Sequence, residues 1–170
     1  DTQERVRDFL TNAVASGRAS HAYLFLGAPG AGKLDAAWAL AQAFLCEQDG
    51  CGACDSCVRV ARHTHPDVHY YTPESAMGYL IAQTRELLDD VPLAPIRAKA
   101  KVYIIDRAEQ LRANTANALL KTLEEPPEHV LFILATTELH KVPATILSRC
   151  QRFDFRRIGA EDIARRLLDV

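Results

Sequence analysis

The stretch YLFLGAPGAGK, residues 23–33, decides the fold predicted for this chain. It begins as a short apolar run, which is typical of a buried strand, and Gly27 ends that run. Apolar residues at helical spacing follow over residues 33–45. Residues 27–33 match the G-x-x-x-x-G-K pattern, and a strand before it and a helix after it are the context that a phosphate-binding loop requires.

The chemistry of this loop depends on a few side chains. Gly27, Gly30 and Gly32 allow the backbone amides to curl around an anion, and Lys33 would reach the terminal phosphates. A magnesium-binding Ser or Thr is expected next, but the chain has Leu34. A plain strand-to-helix turn is one interpretation and a working nucleotide site is another. The leucine favours a third, a degenerate loop that keeps the shape of an ATPase site and has weakened or lost metal-dependent binding.

A second strand ends in an acid, as in an ATPase. Residues 102–105 are apolar and Asp106 follows, where such enzymes hold magnesium. The next residue should be a glutamate that activates water, but it is Arg107. The nearest carboxylate, Glu109, is expected to point elsewhere, and Asp106 alone also fits a turn or helix-capping acid. Because both departures remove groups that handle magnesium or water, the sequence predicts loss of ATP turnover.

Further apolar runs and helical patterns extend this unit along the chain. Strands are predicted at residues 23–26, 68–71, 101–106, 130–135 and 152–155, and helices at 4–16, 33–45, 79–88, 113–123, 144–148 and 160–170. Strands that alternate with helices predict an α/β domain with a mostly parallel, five-stranded sheet covered on both faces.

Four of the five cysteines, Cys46, Cys51, Cys54 and Cys57, fall within twelve residues. Four thiolates close a tetrahedral zinc shell and leave no position for a reactive water, so the spacing predicts a structural zinc site. Unligated or redox-active cysteines and an iron–sulfur cluster are the alternatives. Nearby histidines could replace a thiolate, but four cysteines suffice, so exposed loop histidines are expected at positions 63, 65 and 69.

Composition limits the classes of protein. The chain has 170 residues, of which 48% are hydrophobic and 25% charged, so one globular domain is expected. The formal net charge of -2 gives no global argument for nucleic-acid binding. We expect no membrane helix and no signal peptide, and the clustered cysteines favour the reducing cytoplasm.

Several motifs, and the order in which they occur, resemble those of the bacterial sliding-clamp loader subunits of DNA polymerase III. Besides the loop and the four cysteines, they are HAYLF at 21–25, THPD at 64–67, NALLKTLEEPP at 117–127 and ATTELHKVPATILSRC at 135–150. Leu34 and Arg107 are closer to the delta-prime type, which does not hydrolyse ATP in well-known cases. The sequence at residues 135–137 and 146–150 is close to that of the ATP-hydrolysing gamma/tau type, which is the alternative to delta-prime.

The resemblance implies the AAA+ fold with an inserted zinc module at about 46–57, and a chain that ends before the lid and collar domains. It implies that Arg149 is an arginine finger for ATP on a neighbouring subunit and that Thr137 stands at the γ-phosphate sensor position. The implied partners are gamma/tau and delta subunits and, through the assembly, the sliding clamp and primed DNA. ATP and Mg²⁺ are doubtful cofactors here.

An alternative from a different class of function is a free-standing zinc-dependent module that binds nucleic acid. Its sequence support is a local basic patch formed by Arg59, Arg62, Arg97, Lys99 and Lys101.

Overall fold

The computed structural model describes residues 2–17 and 20–157. Its helices are α1 (Thr2–Ala15), α2 (Lys33–Leu45), α3 (Asp55–Ala61), α4 (Ile81–Asp90), α5 (Ala113–Glu124) and α6 (Ala144–Leu147). Its strands are β1 (Ala22–Gly27), β2 (Val68–Tyr71), β3 (Lys101–Ile105), β4 (Val130–Thr136) and β5 (Gln151–Phe155). Short 3-10 turns lie at Ala108–Gln110 and Leu139–Lys141. The prediction of an α/β domain with five strands is confirmed.

The five strands form one parallel sheet in the order β2-β3-β4-β1-β5. Strand β4 therefore lies between β1 and β3 in the sheet, although it follows both of them along the chain. In open parallel sheets, ligands bind outside the carboxyl ends of the strands where the strand order reverses. The loop after β1, the acid after β3 and the end of β4 all reach that edge.

The central strands are buried on both faces, which explains why they are continuous apolar runs. Every residue of β3 and β4 is buried. On one face, Tyr103 and Phe132 pack with Leu119 of α5. On the other face, Phe25 and Ile133 belong to the cluster that includes residues of α2. Two apolar layers thus hold the sheet edge that carries the candidate site.

Two local differences separate the structure from the predicted elements. Helix α3 lies where only a cysteine-rich loop was expected, and the Cys54 side chain caps it by accepting a hydrogen bond from the Cys57 N–H. Helix α4 begins at Ile81 instead of residue 79, because the Gln83 side chain accepts from the Leu80 N–H and caps the helix there. The predicted helix at 160–170 lies outside the described residues.

None of the helices found within residues 2–17 and 20–157 combines the length and the apolar character needed to cross a membrane.

Candidate functional site

A cavity of about 350 Å³ opens at the carboxyl edge of the sheet. It brings together predicted residues that are far apart in the chain, since its lining includes Gly30, Gly32, Lys33, Asp106 and Thr137. Arg107 and Leu34 line it as well, so both departures from the ATPase pattern face the cavity.

The glycines of the loop serve two different purposes. Gly30 and Gly32 have φ of 78° and 89°, a left-handed conformation that side chains disfavour. Gly27 is needed for a different reason, because a Cβ there would lie 2.8 Å from the Phe155 carbonyl oxygen. Strand β5 thus packs directly against Gly27. Glycine is required at Gly27 by the sheet and at the other two positions by the turn.

Lys33 is buried at the base of the loop, with 8% of its surface exposed. Its Nζ donates hydrogen bonds to the carbonyl oxygens of Gly27 at 2.6 Å and of Ala28 at 3.1 Å. Burial lowers its pKa, while the carboxylates of Asp106 and Glu109 act in the opposite direction. The backbone carbonyl oxygens of the loop therefore hold the ammonium group of Lys33 inside it.

The acid after β3 is engaged through both carboxylate oxygens. Asp106 Oδ1 accepts from the Arg107 backbone N–H at 2.9 Å, and Oδ2 accepts from the Tyr70 hydroxyl at 3.2 Å. Its own carbonyl oxygen and that of Tyr71 share the single hydroxyl hydrogen of Tyr79. Across the cavity Leu34 packs against the apolar cluster of α2 and offers no oxygen.

Glu109 is not among the residues that line the cavity, but its carboxylate lies close to it. The 3-10 turn Ala108–Gln110 brings its carboxylate to the end of β4, where Thr136 Oγ1 donates to Oε2 at 2.6 Å. Its charge acts on the pKa of Lys33. Thr137, the residue at the expected sensor position, is exposed and lines the cavity.

Arg149 lies near the amino-terminal ends of the strands, whereas the phosphate loop lies at their carboxyl ends. It precedes β5, whose first residue pairs with Tyr23 and whose last pairs with Gly27. The guanidinium donates to Glu124 Oε1 at 2.8 Å, and the two side chains are 41% and 45% exposed. Because the whole length of β5 separates Arg149 from the loop, this arginine cannot serve the cavity of its own chain.

The four clustered cysteines form a second candidate site, between α2 and α3. Their sulfur atoms all lie within 4.8 Å of one another. Cys46 Sγ is 3.7 Å from both Cys51 Sγ and Cys54 Sγ, and the sulfurs of Cys51 and Cys57 are 4.0 Å apart. Four sulfurs about 2.3 Å from a central zinc ion would lie about 3.8 Å from each other. The donor set and its spacing therefore fit a tetrahedral metal site.

Backbone amides support the thiolate form of Cys46 and Cys51, whereas burial raises the pKa of Cys57. The N–H groups of Gln48 and Cys51 donate to Cys46 Sγ at 3.3 and 3.5 Å, and the Cys54 N–H donates to Cys51 Sγ at 3.4 Å. Burial raises the pKa of Cys46, but amide N–H groups outweigh it and bring the pKa to about 6. Such hydrogen bonds favour the charged sulfur that a metal requires.

The three nearby histidines have separate environments, and the expectation that all are exposed is wrong. His65 is buried, and its Nδ1 accepts from the Asp67 N–H at 3.0 Å. His63 is exposed and stacks on Trp38 with ring centroids 3.8 Å apart. His69 is partly buried, with its Nε2 3.3 Å from a carboxylate oxygen of Asp90. None of the three belongs to the group of four cysteines that is found among the described residues.

Asp67 is a structural residue that sequence reasoning missed. It is fully buried, and its carboxylate accepts from three consecutive N–H groups, those of Ile96 at 2.6 Å and of Arg97 and Ala98 at 2.7 Å. Arg97 in turn donates to Asp55 in α3 at 2.8 Å. This acid therefore ties the start of β2 to the loop before β3, and through it to the cysteine cluster.

The basic patch suggested by the sequence does not form as expected. Lys101 is 1% exposed, and its Nζ donates to the carbonyl and carboxylate oxygens of Asp90, so it cannot reach a ligand. Arg59 and Arg97 both pair with Asp55 at 2.8 Å. The predicted patch thus loses one cation to the core, and two others share the single negative charge of Asp55.

Comparisons with known proteins point to one family. The family described as DNA polymerase III, delta subunit, matches residues 2–159. The chain is 46% identical to the tau subunit of DNA polymerase III from Bacillus subtilis and 44% identical to that from Escherichia coli, over 97% of its length in each case. It is 38% identical to the Bacillus subtilis delta-prime subunit over 99% of its length. The chain spans only 30%, 26% and 52% of these three relatives.

Solved structures show the same fold at lower identity. A gamma subunit-related protein of DNA polymerase III from Thermotoga maritima gives a TM-score of 0.62 at 21% identity, covering 95% of this chain and 47% of that one. The RuvB Holliday junction branch migration motor of Thermotoga maritima gives 0.59 at 19% identity, covering 99% of this chain and 52% of that one.

Proposed function

This chain belongs to the clamp-loader subunits of DNA polymerase III, which have the AAA+ fold, and from that premise we propose that it is a subunit of the delta-prime type. In this role it does not hydrolyse ATP. It presents Arg149 to ATP bound on a neighbouring subunit, and through the assembly it acts on the sliding clamp and primed DNA.

The observation that carries the proposal is the pair of substitutions in the cavity. Leu34 stands where a hydroxyl would ligate magnesium, and Arg107 stands where a glutamate would activate water. Both side chains line the cavity. Glu109 lies close by, but its carboxylate accepts the Thr136 hydroxyl proton in a 2.6 Å hydrogen bond. The chain thus retains the loop and its lysine without the two groups on which hydrolysis depends.

The position of Arg149 supports action on a neighbour. It is exposed, it lies at the edge of the sheet away from its own loop, and its partner Glu124 is also on the surface. A guanidinium placed against the γ-phosphate offsets the charge that develops in phosphoryl transfer. Supplying that group from another subunit makes hydrolysis depend on correct assembly.

The direct test is ATP hydrolysis by a reconstituted clamp loader that contains this subunit. An arginine finger contributes about 10³–10⁵-fold to the rate at the site that it serves. Arg149→Ala should therefore abolish the share of single-turnover hydrolysis that belongs to the adjacent site. Arg149→Lys should restore little of it, since an ammonium group lacks the planar, bidentate geometry.

Two control variants separate the finger from a structural ion pair. Glu124→Gln breaks the same ion pair but keeps the guanidinium, so its assembly should hydrolyse ATP normally. Arg152→Gln removes a nearby exposed arginine that pairs with Asp154, and it should also have no effect. Normal hydrolysis by an intact Arg149→Ala assembly, or equal losses for Glu124→Gln and Arg149→Ala, would refute the role of Arg149.

The second candidate is a gamma/tau-type motor. Its support is that the tau subunits of two bacteria are 46% and 44% identical to this chain, against 38% for a delta-prime subunit. A motor requires magnesium-dependent ATP hydrolysis at its own site in the reconstituted assembly, where a neighbour supplies the arginine, and this hydrolysis collapses in Lys33→Ala. The delta-prime proposal expects no such activity, so this measurement decides between the two types.

We also propose that Cys46, Cys51, Cys54 and Cys57 hold one structural zinc ion. The support is the match between their sulfur separations and a tetrahedral shell. All four positions would be filled by protein, so the metal would stabilise the loop between α2 and α3 without taking part in catalysis. A free-standing nucleic-acid-binding module is disfavoured, and DNA affinity of the isolated chain with a steep salt dependence would revive it.

A further inference from the structure

We propose that the cavity at the phosphate loop binds the polyphosphate of a nucleotide without Mg²⁺, with the Arg107 guanidinium in the place of the metal. This inference rests on the proposed function in one respect: it treats the cavity as a binding site without turnover. It assigns a ligand-binding role to a residue that otherwise marks only the loss of a catalytic glutamate.

Charge is the first argument. The charged side chains that line the cavity are Lys33, Asp35, Asp106 and Arg107, two of each sign. A glutamate at position 107 would leave three acids against one lysine, and bound Mg²⁺ would then supply two positive charges. Exchange of that glutamate for arginine alters the charge by the same two units, because arginine stays protonated in proteins. The chain therefore reaches without a metal the charge balance that an ATPase site reaches with one.

The oxygen ligands of the cavity supply the second argument. The side chain of Leu34 has no oxygen and packs into the apolar cluster of α2. Both carboxylate oxygens of Asp106 already accept hydrogen bonds, at 2.9 Å from the Arg107 N–H and at 3.2 Å from the Tyr70 hydroxyl. Mg²⁺ demands near-octahedral oxygen coordination and gives up its water reluctantly. Leu34 therefore offers it no ligand, and Asp106 offers only the lone pairs that these two hydrogen bonds leave.

The placement of Arg107 is the third argument. It has φ of 48°, a left-handed conformation that is uncommon for a bulky residue, and it begins the turn after β3. Its side chain is exposed and lines the cavity. Within the described part of the chain, its guanidinium forms no ion pair with a carboxylate. By contrast, Arg149 and Arg97 are paired with acids at 2.8 Å.

The backbone around this side chain is already suited to phosphate. The loop supplies the amides at the start of α2, a helix of 13 residues, and buried Lys33 supplies an ammonium group. Arginine matches the oxygens of a phosphate with two parallel hydrogen bonds. The loop, Lys33 and Arg107 would then contact the polyphosphate from different sides of one 350 Å³ cavity.

The test is calorimetric titration of the purified chain with ATP and with inorganic tripolyphosphate, each in EDTA and in Mg²⁺. The cysteine cluster is loaded with zinc beforehand, and the zinc content is checked after exposure to EDTA. Four proteins are compared: the wild type, Arg107→Gln, Arg107→Glu and the surface control Arg85→Gln on α4. Circular dichroism and a thermal melt of each establish that a loss of binding is not a loss of fold.

For the wild type, we expect the dissociation constant for ATP to differ less than threefold between EDTA and Mg²⁺. Arg107→Gln should weaken binding of both ligands at least tenfold in EDTA, since a charge-assisted hydrogen bond is lost. Arg107→Glu should weaken it further in EDTA and recover part of the loss in Mg²⁺. Arg85→Gln should bind like the wild type.

Three results would overturn the inference: no detectable binding of ATP in EDTA, binding by the wild type that strengthens tenfold or more with Mg²⁺, or unchanged affinity in folded Arg107→Gln. The proposed function fails separately, through the Arg149 variants in the assembly. If Arg149 acts on a neighbour but the cavity of its own chain binds no nucleotide, the present inference is wrong and the proposed function stands.

Discussion

Replacement of buried Asp67 by asparagine tests how the cysteine cluster is attached to the sheet. The carboxylate accepts three N–H groups at 2.6–2.7 Å, and no part of the residue is exposed. Asparagine has the same size but a single carbonyl oxygen, which can accept two of the three N–H groups. The third donor would face the amide NH₂ group and be left without a partner.

The cost follows from these contacts. A buried donor without a partner costs about 1–3 kcal/mol, and the two remaining hydrogen bonds lose the strength that the negative charge gave them. We therefore expect Asp67→Asn to lower the free energy of unfolding by about 3 kcal/mol. In a domain of this size, that corresponds to a fall of roughly 6–12 °C in Tm.

The dependence on pH gives a second readout. Burial opposes ionisation of Asp67, but the amide N–H groups of residues 96–98 outweigh it and hold the pKa below its usual value. A carboxyl group whose pKa is lower in the folded state stabilises the fold above its unfolded pKa of about 3.9. That stabilisation is lost as the pH falls through the folded pKa. The difference between wild type and Asp67→Asn should therefore be constant near neutral pH and shrink below about pH 4.

Urea unfolding monitored by circular dichroism measures both effects. Asp89→Asn, an exposed acid on α4, is the matched control and should change the free energy of unfolding by less than about 0.5 kcal/mol. Asp67→Asn with a stability within 1 kcal/mol of the wild type, or with an undiminished difference at pH 3, would refute the reasoning.

Three further changes test other parts of the structure. Cys57→Ser should lower the zinc content below one ion per chain in atomic absorption and reduce Tm, whereas a wild-type chain purified without zinc and equally stable would contradict a structural metal. Lys101→Met should lower the free energy of unfolding by about 1–3 kcal/mol in urea, because Asp90 loses its ammonium partner and keeps only the Tyr103 hydroxyl and the His69 ring, and an unchanged value would show that this pair contributes nothing. Gly27→Ala should cost about 1–3 kcal/mol, since the new Cβ would lie 2.8 Å from the Phe155 carbonyl oxygen, and unaltered stability would mean that β5 moves away freely.

The sheet and the phosphate loop could be predicted from the sequence because their causes are local. Strands β3 and β4 are covered on both faces, so their residues form unbroken apolar runs that stand out from their surroundings. The loop has a fixed spacing of glycines and lysine. The residues of the cavity could be predicted for the same reason, because carboxyl ends of parallel strands meet at one edge.

The features that escaped prediction depend on contacts between distant parts of the chain. Lys101 resembles a surface cation in the sequence, but its partner Asp90 lies at the end of α4 and takes it into the core. The role of Asp67 depends on N–H groups about thirty residues away. Glu109 returns to β4 only because a 3-10 turn follows Arg107. None of these pairings has a periodic pattern that a single sequence reveals.

The ion pair between Arg149 and Glu124 has a consequence for how easily the arginine changes partners. Both side chains are more than two-fifths exposed, and such surface pairs contribute no more than about 1 kcal/mol. Releasing the arginine therefore adds almost nothing to the activation barrier for docking, while the glutamate keeps the long side chain from sampling many rotamers. In the proposed assembly, Arg149 would then exchange Glu124 for a γ-phosphate on the neighbour at little energetic cost.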